Sequence, residues 1–288
     1  MGASSLQKEA CLRIYSIKGR PLDNPLICHF SSISEIERYA ILPNSGRSIL
    51  EAFAPGPITL VLKKKSDEIF STGLPTIAVR IPAHGQAREM IAATGTPISA
   101  PSANLSGKPS ITRVEDAIAT FQGLVDCILI GEPPSIGLES TVLDLSYDIP
   151  RLLRPGSIEK NELERILAQH IEEPSDPEFL SPGTRYRHYS PEGKIFILED
   201  LPRSLPDDGV RRARIGFISS NELPLDKIIS PNDHIFDVYI NSNQEYANLL
   251  YSFLVDCDKN QVQEIFCQIP KKGKLYSAIL NRLEKAIH

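Results

Sequence analysis

Apolar positions in the first third of the chain repeat with two different periods. Leu6, Ala10, Ile14 and Ile17 fall on one face of a helix over 7–17, which Lys18-Gly19-Arg20-Pro21 ends. Residues 26–30 predict a short strand, and 34–42 a short helix capped by Ser34. After the turn Pro55-Gly56-Pro57, residues 58–63 predict a strand; 76–81 predict another, closed by Pro82. Period-two alternation puts Ile77, Val79 and Ile81 on one side of the latter and Thr76, Ala78 and Arg80 on the other. A small Ala between a hydroxyl and a guanidinium leaves room for a ligand.

Further on, 83–94 and 112–121 predict helices, while 127–130 and 141–145 predict strands. Leu152-Leu153 is a strand end, after which Ser157 caps a helix running to about His170. Residues 172–177 are acidic and proline-containing, as linkers are. Beyond Pro191, strands at 194–198, 213–219, 234–239 and 263–269 alternate with helices at 245–255 and 275–287. That order predicts a small parallel α/β domain. The expected organisation is a first domain over 1–171, a linker or lid over 172–192 and a second domain over 193–288.

The length of 288 residues suits two domains, each with its own core. Lys and Arg number 31 against 36 Asp and Glu, a net charge of -5. This argues against a general nucleic-acid coat but not against a local basic cleft. No apolar run approaches the roughly 20 residues of a membrane span, and the N-terminus lacks a secretory pattern. Met1–Leu6 comes near a myristoylation signal, but Leu6 stands where Ser or Thr is wanted. Cys11, Cys28, Cys127, Cys257 and Cys267 are scattered without a C-x-x-C pair, so reduced thiols in a cytoplasmic protein are expected and a structural metal is not.

Five polar segments interrupt the apolar pattern. Ser181-Pro-Gly-Thr-Arg-Tyr-Arg-His-Tyr-Ser-Pro191 mixes prolines, cations and aromatic rings, which suits an extended lid over a phosphate-bearing ligand. Lys18 and Arg20 either complement a helix dipole or clamp a phosphate, with Asn24 and His29 adding hydrogen bonds. Ala100-Pro-Ser-Ala-Asn104, followed by Leu105-Ser-Gly-Lys-Pro109, is either an ordinary Asn/Gly turn or a turn whose backbone touches a ligand. Gly137-Leu-Glu-Ser-Thr141 enters a strand and reads first as polar punctuation. Arg154-Pro-Gly156 precedes a helix, so Arg154 is either a surface charge or a phosphate contact near a helix N-terminus.

In their joint order, KGRPLDNPL, APGPITLVL, TIAVRIP, APSANLSGKPS, GLESTV, LLRPGSI and SPGTRYRHYSP resemble the Sua5/YrdC/YciO family. The last segment and the domain after it resemble the two-domain Sua5 type. The resemblance implies a YrdC-like twisted α/β domain with an open cationic cavity, plus a small Rossmann-like α/β domain. It also implies synthesis of threonylcarbamoyl-AMP and pyrophosphate from L-threonine, bicarbonate and ATP with Mg²⁺. The product would pass to a tRNA threonylcarbamoyl-transfer complex for the N6-threonylcarbamoyl modification of adenosine 37.

Carried over by position, Arg20, Asn24, Thr76, Ser102, Asn104, Ser110 and Arg154 match the nucleotide side, with Tyr186, Arg187, His188 and Tyr189 closing above. His29, Arg80 and Ser140 match the threonine side, and Lys18 and Arg20 are the implied catalytic cations. No metal-ligating side chains are implied. The family opens with a strand and P-T-E-T-V-Y-G-L-G, whose end aligns with Met1-Gly2-Ala3; roughly 25 to 30 family residues have no counterpart, on usual element lengths. Without that strand, a sheet edge or apolar face is expected to lie uncovered. The synthase is expected to make at most weak tRNA contact and to have no membrane association; the competing expectation is a non-catalytic nucleotide- or RNA-binding paralogue.

Overall fold

The computed structural model describes residues 1–174, 189–202, 204–206, 208–217 and 235–287. Two compact units are present. The first gathers 1–106, 121–131 and 139–174; the second gathers 107–120, 132–138 and the described residues from 189 onward.

The first unit is built on a seven-stranded sheet. Its strands are β1 (Ala3–Ser4), β2 (Ile27–His29), β3 (Ile58–Lys63), β4 (Thr76–Arg80), β5 (Ile98–Ser99), β6 (Thr141–Asp144) and β7 (Arg151–Arg154), in the order β1-β5-β2-β4-β3-β6-β7. β2 runs parallel to β4 and β3 parallel to β6; the remaining pairs are antiparallel. Cys28, Leu60, Leu62, Ile77, Val79, Leu143 and Leu152 point to one face. There they bury against α2 (Ile33–Tyr39), α3 (Asn44–Phe53) and α6 (Lys160–Leu167). α1 (Lys8–Lys18) ends where Gly19 turns left-handed, with φ of 61°, a conformation that costs glycine nothing.

Several boundaries differ from the sequence reading. Ser32, not Ser34, caps α2: its hydroxyl accepts from the Glu35 backbone N–H while Glu35 reaches back to the Ser31 N–H. α6 begins after Glu159 rather than Ser157, because Glu159 and Glu162 form a reciprocal capping box there. α3 has no counterpart in the sequence reading. It is held by Ile49 and Leu50, both fully buried. Residues 127–130 are not a strand. Among the described residues no neighbour completes their ladder, and Leu129 is 71% exposed.

The second unit holds the expected parallel sheet, in the order β10-β9-β11-β8: β8 (Lys194–Leu198), β9 (Arg212–Phe217), β10 (Ile235–Ile240) and β11 (Glu264–Gln268). α7 (Asn243–Lys259) and α8 (Tyr276–Ala286) cover it with Tyr246, Leu250, Leu254, Ile279 and Leu283. Segment 107–120, which carries most of α5 (Val114–Phe121), is fastened to α7 by charge. Arg113 makes a two-pronged pair with Asp256 at 2.6 and 2.8 Å, and Lys259 reaches Asp116. Segment 132–138 lies against α7 as well. A Cβ on Gly137 would sit 2.4 Å from the Ala247 carbonyl oxygen, so only glycine fits.

Candidate active site

The face of the first sheet opposite the core is the chemically loaded one. Ile27, Thr59, Val61, Thr76, Ala78 and Val142 line a cavity of about 440 Å³ on it. The small Ala78 between longer neighbours therefore marks open space, as its position in the alternation predicted. Arg20 and Asn24 form one wall of the cavity and Arg154 another.

Strand register assembles a polar row across this face. His29 pairs with Arg80, and Leu60 with Val79, which brings Thr59 beside Arg80; Thr59 pairs with Val142, and Val142 with Arg154. Arg80 donates from Nε to the Gly56 carbonyl at 3.1 Å. Burial, and then the neighbouring Arg154 charge, push its pKa down to about 10. Among the described residues neither arginine is paired with a carboxylate. Two partly buried cations facing each other without a counter-ion favour an anionic ligand.

His29 is held close to neutral. Burial, and then Arg80, lower its pKa to about 4. Its Nδ1 lies 3.3 Å from the Ile98 carbonyl oxygen. That oxygen can only accept, so Nδ1 carries the proton and Nε2 keeps its lone pair.

The separate motifs prove to be one interlocked structure. Arg154 donates from Nε to the Ser140 carbonyl at 3.0 Å and from Nη2 to the Ser140 hydroxyl at 3.2 Å. Thr141 Oγ1 donates to the Ile158 carbonyl and accepts from the Ile158 N–H. Gly156 touches the same turn: a Cβ there would lie 2.4 Å from the Thr141 nitrogen. The Thr141 N–H donates to the Pro57 carbonyl, tying in the turn before β3.

A second cluster adjoins the cavity. Arg20 donates to the Asn24 carbonyl at 2.8 Å, to the Pro25 carbonyl at 2.9 Å and to the Asn24 side-chain oxygen. The Tyr15 hydroxyl donates to that same Asn24 carbonyl. Lys18 is only 3% exposed, and its Nζ donates to the carbonyls of Ser102 and Asn104. Ser102 in turn donates to the Asn104 side chain at 2.6 Å. Lys18 is thus not a surface charge decorating a helix end. Burial, and then Arg20, bring its pKa down to about 7.

Arg20, Asn24, Thr76 and Arg154 therefore share one cavity; His29, Arg80 and Ser140 stand along the row, and Lys18, Ser102 and Asn104 form the adjoining cluster. Ser110 is buried in segment 107–120 of the second unit. Tyr186, Arg187 and His188 lie outside the described residues. Tyr189 belongs to the core of the second unit. Its ring is 8% exposed and packs 5.1 Å from Tyr251 in the second core, where burying an aromatic ring is favourable. The sequence reading passed over Thr59 and the buried Asp144, both on the cavity lining. Thr59 is a polar residue in the apolar run ITLVL, in phase with the open face.

Comparison with known proteins finds relatives along almost the whole chain. A family model described as "Telomere recombination" (Sua5_yciO_yrdC) matches residues 1–156, and one described as "Threonylcarbamoyl-AMP synthase, C-terminal domain" (Sua5_C) matches 158–287. The chain is 35% identical to the threonylcarbamoyl-AMP synthase of Pyrococcus abyssi over 307 residues, covering 99% of this chain and 86% of that one. It is 36% identical to that of Bacillus subtilis over 306 residues, with the same shares. The crystal structure of P. abyssi Sua5 complexed with L-threonine superposes with a TM-score of 0.85 at 34% identity, covering 99% of this chain and 86% of that one.

Fold and matches define an α/β enzyme of the nucleotidyltransferase type, and the chain belongs to the Sua5/YrdC/YciO family. Within that family the two domain matches in tandem make it a two-domain member of the Sua5 type. Among the described residues no helix is long and apolar enough to cross a membrane.

Proposed function

We propose that this enzyme is an L-threonylcarbamoyladenylate synthase, which makes threonylcarbamoyl-AMP and pyrophosphate from L-threonine, bicarbonate and ATP. The observation that carries the reading is the pair Arg80 and Arg154 on the open sheet face, beside a cavity and without carboxylate partners among the described residues. In this reading Arg80 takes the threonine carboxylate and Arg154 the nucleotide phosphates, with Arg20, Asn24 and Thr76 lining the same cavity.

The amine of threonine and bicarbonate give a carbamate with loss of water. A carbamate oxygen attacks the α-phosphorus of ATP, the bond to the β-phosphate breaks, and pyrophosphate leaves. The protein's task is to hold two anions in line and steady the charge that develops between them. His29, neutral with Nε2 unprotonated, can accept a hydrogen bond from the threonine amine as it loses its proton. Mg²⁺ enters with the triphosphate, whose oxygens and water suit its octahedral demand. Among the described residues no group of three His, Cys, Asp or Glu is placed to hold it, so it is read as part of the MgATP substrate. The product is a mixed anhydride, ready to acylate the N6-amine of tRNA adenosine 37 through a transfer complex in the cytoplasm.

Pyrophosphate release that requires both threonine and bicarbonate, and that is lost in Arg80→Ala and Arg154→Ala, is the expected result. Tight tRNA binding in a filter assay without any adenylate formation would instead favour a binding paralogue.

A further inference from the structure

Thr59 has no role in the reaction just described, yet its hydroxyl stands in the middle of the polar row. It is fully buried from bulk water on the cavity lining, between Arg80 and Arg154 in the strand register. Its Oγ1 lies 2.7 Å from the Ser140 hydroxyl, which is itself buried. Ser140 also receives Arg154 Nη2 at 3.2 Å.

Counting protons fixes Arg154 as a donor and leaves two directions for the Ser140–Thr59 bond. A hydroxyl has one proton and two acceptor positions, and a guanidinium only donates. Arg154 therefore fills one acceptor position on Ser140. Among the described residues, the proton of Ser140 has a single acceptor in reach, Thr59 Oγ1. If Ser140 donates there, the Thr59 proton has no acceptor within the protein and faces the cavity that Thr59 lines. If Thr59 donates instead, it is the Ser140 proton that lacks an acceptor; of the two hydroxyl residues only Thr59 is on the cavity lining, so an acceptor in the cavity is met when Ser140 donates to Thr59. With an acceptor in the cavity, the chain runs from Arg154 to Ser140 to Thr59, each link polarising the next.

We propose that Thr59 is a further catalytic residue: its hydroxyl donates a hydrogen bond to an anionic oxygen of the substrate held between Arg80 and Arg154. Given the reaction on which this inference rests, that oxygen belongs to the junction of carbamate and α-phosphate, where negative charge grows in the transition state. A donor aimed there lowers the barrier more than it strengthens binding.

The test compares Thr59→Val, which keeps the shape and removes only the hydroxyl, with Thr59→Ser and Thr59→Ala, using threonine- and bicarbonate-dependent pyrophosphate release. Thr59→Val and Thr59→Ala should lower kcat about 10- to 100-fold with KM for ATP and threonine moved by no more than about threefold. Thr59→Ser should recover most of the rate. Thr59→Val or Thr59→Ala with wild-type kcat in an active preparation overturns the role of Thr59 alone, as does a loss that Thr59→Ser does not restore. A wild-type protein that releases no pyrophosphate overturns the functional reading beneath it.

Discussion

Arg154 grips Ser140 twice, once at its carbonyl and once at its hydroxyl. Residues 14 positions apart in the chain thereby behave as one element. The geometry turns the guanidinium edge-on to the turn and leaves its remaining donors for a ligand. Arg154→Lys keeps the charge but cannot make both bonds. It is expected to lose at least tenfold in kcat/KM for ATP, measured by pyrophosphate release across an ATP series, while the folded state persists by circular dichroism.

Gly156→Ala tests the same interlock from the other side. A Cβ at that position would lie 2.4 Å from the Thr141 nitrogen and 2.9 Å from the Ser140 carbonyl carbon. Both are backbone atoms with nowhere to yield. The variant is expected to lose about 2 kcal/mol or more of stability by denaturant titration and to fall in activity with it.

Lys18 makes a prediction about proton traffic. Its pKa lies near 7 because burial, with Arg20 beside it, disfavours the charge. A bound triphosphate favours the charged form and raises that pKa. ATP binding near pH 8 should therefore take up a fraction of a proton, up to about one. Calorimetry in buffers of different ionisation enthalpy reads this directly, and Lys18→Met should abolish it.

His29 governs acid stability. Its pKa in the folded protein, about 4, lies below its ordinary value of 6.5, so the unfolded chain binds more protons between the two. The stabilisation is complete above pH 6.5 and is lost as the pH falls through 4, by about 1–3 kcal/mol. His29→Gln should flatten the fall in melting temperature over that window.

Tyr189 belongs to the second core, and its contribution should be structural. Its buried ring against Tyr251 predicts that Tyr189→Ala costs about 3 kcal/mol. The loss should appear in hydrogen exchange of α7 and leave that of α1 unchanged.

The sequence disclosed what depends on local alternation and missed what depends on partners. Thr76, Ala78 and Arg80 could be placed on an open face because a strand exposes every second residue. Segment 127–130 has the composition of a strand, but a strand needs a neighbour, and none pairs with it. Ser32 and Ser34 are equivalent as letters; the Glu35 carboxylate returning to Ser31 decides between them. Thr59 was hidden because a hydroxyl in an apolar run has meaning only once Ser140, far along the chain, is brought to it. Lys18 and Arg154 each left two readings open in the sequence. The structure adds their acceptors, the carbonyls of Ser102 and Asn104 for Lys18 and Ser140 for Arg154, which local sequence does not contain.

The clasp of segment 107–120 on α7 has a consequence for anyone who would take the protein apart. Arg113, Asp116 and Lys108 come from early in the chain, yet they neutralise Asp256, Lys259 and Asp258 near its end. No single cut yields the second unit whole. A fragment begun at the second sheet would carry the facing charges of α7 unanswered and bare the groove that Gly137 fills. A dissection that respects the molecule has to follow its packing, and must bring along a helix encoded some eighty residues upstream of the sheet it serves.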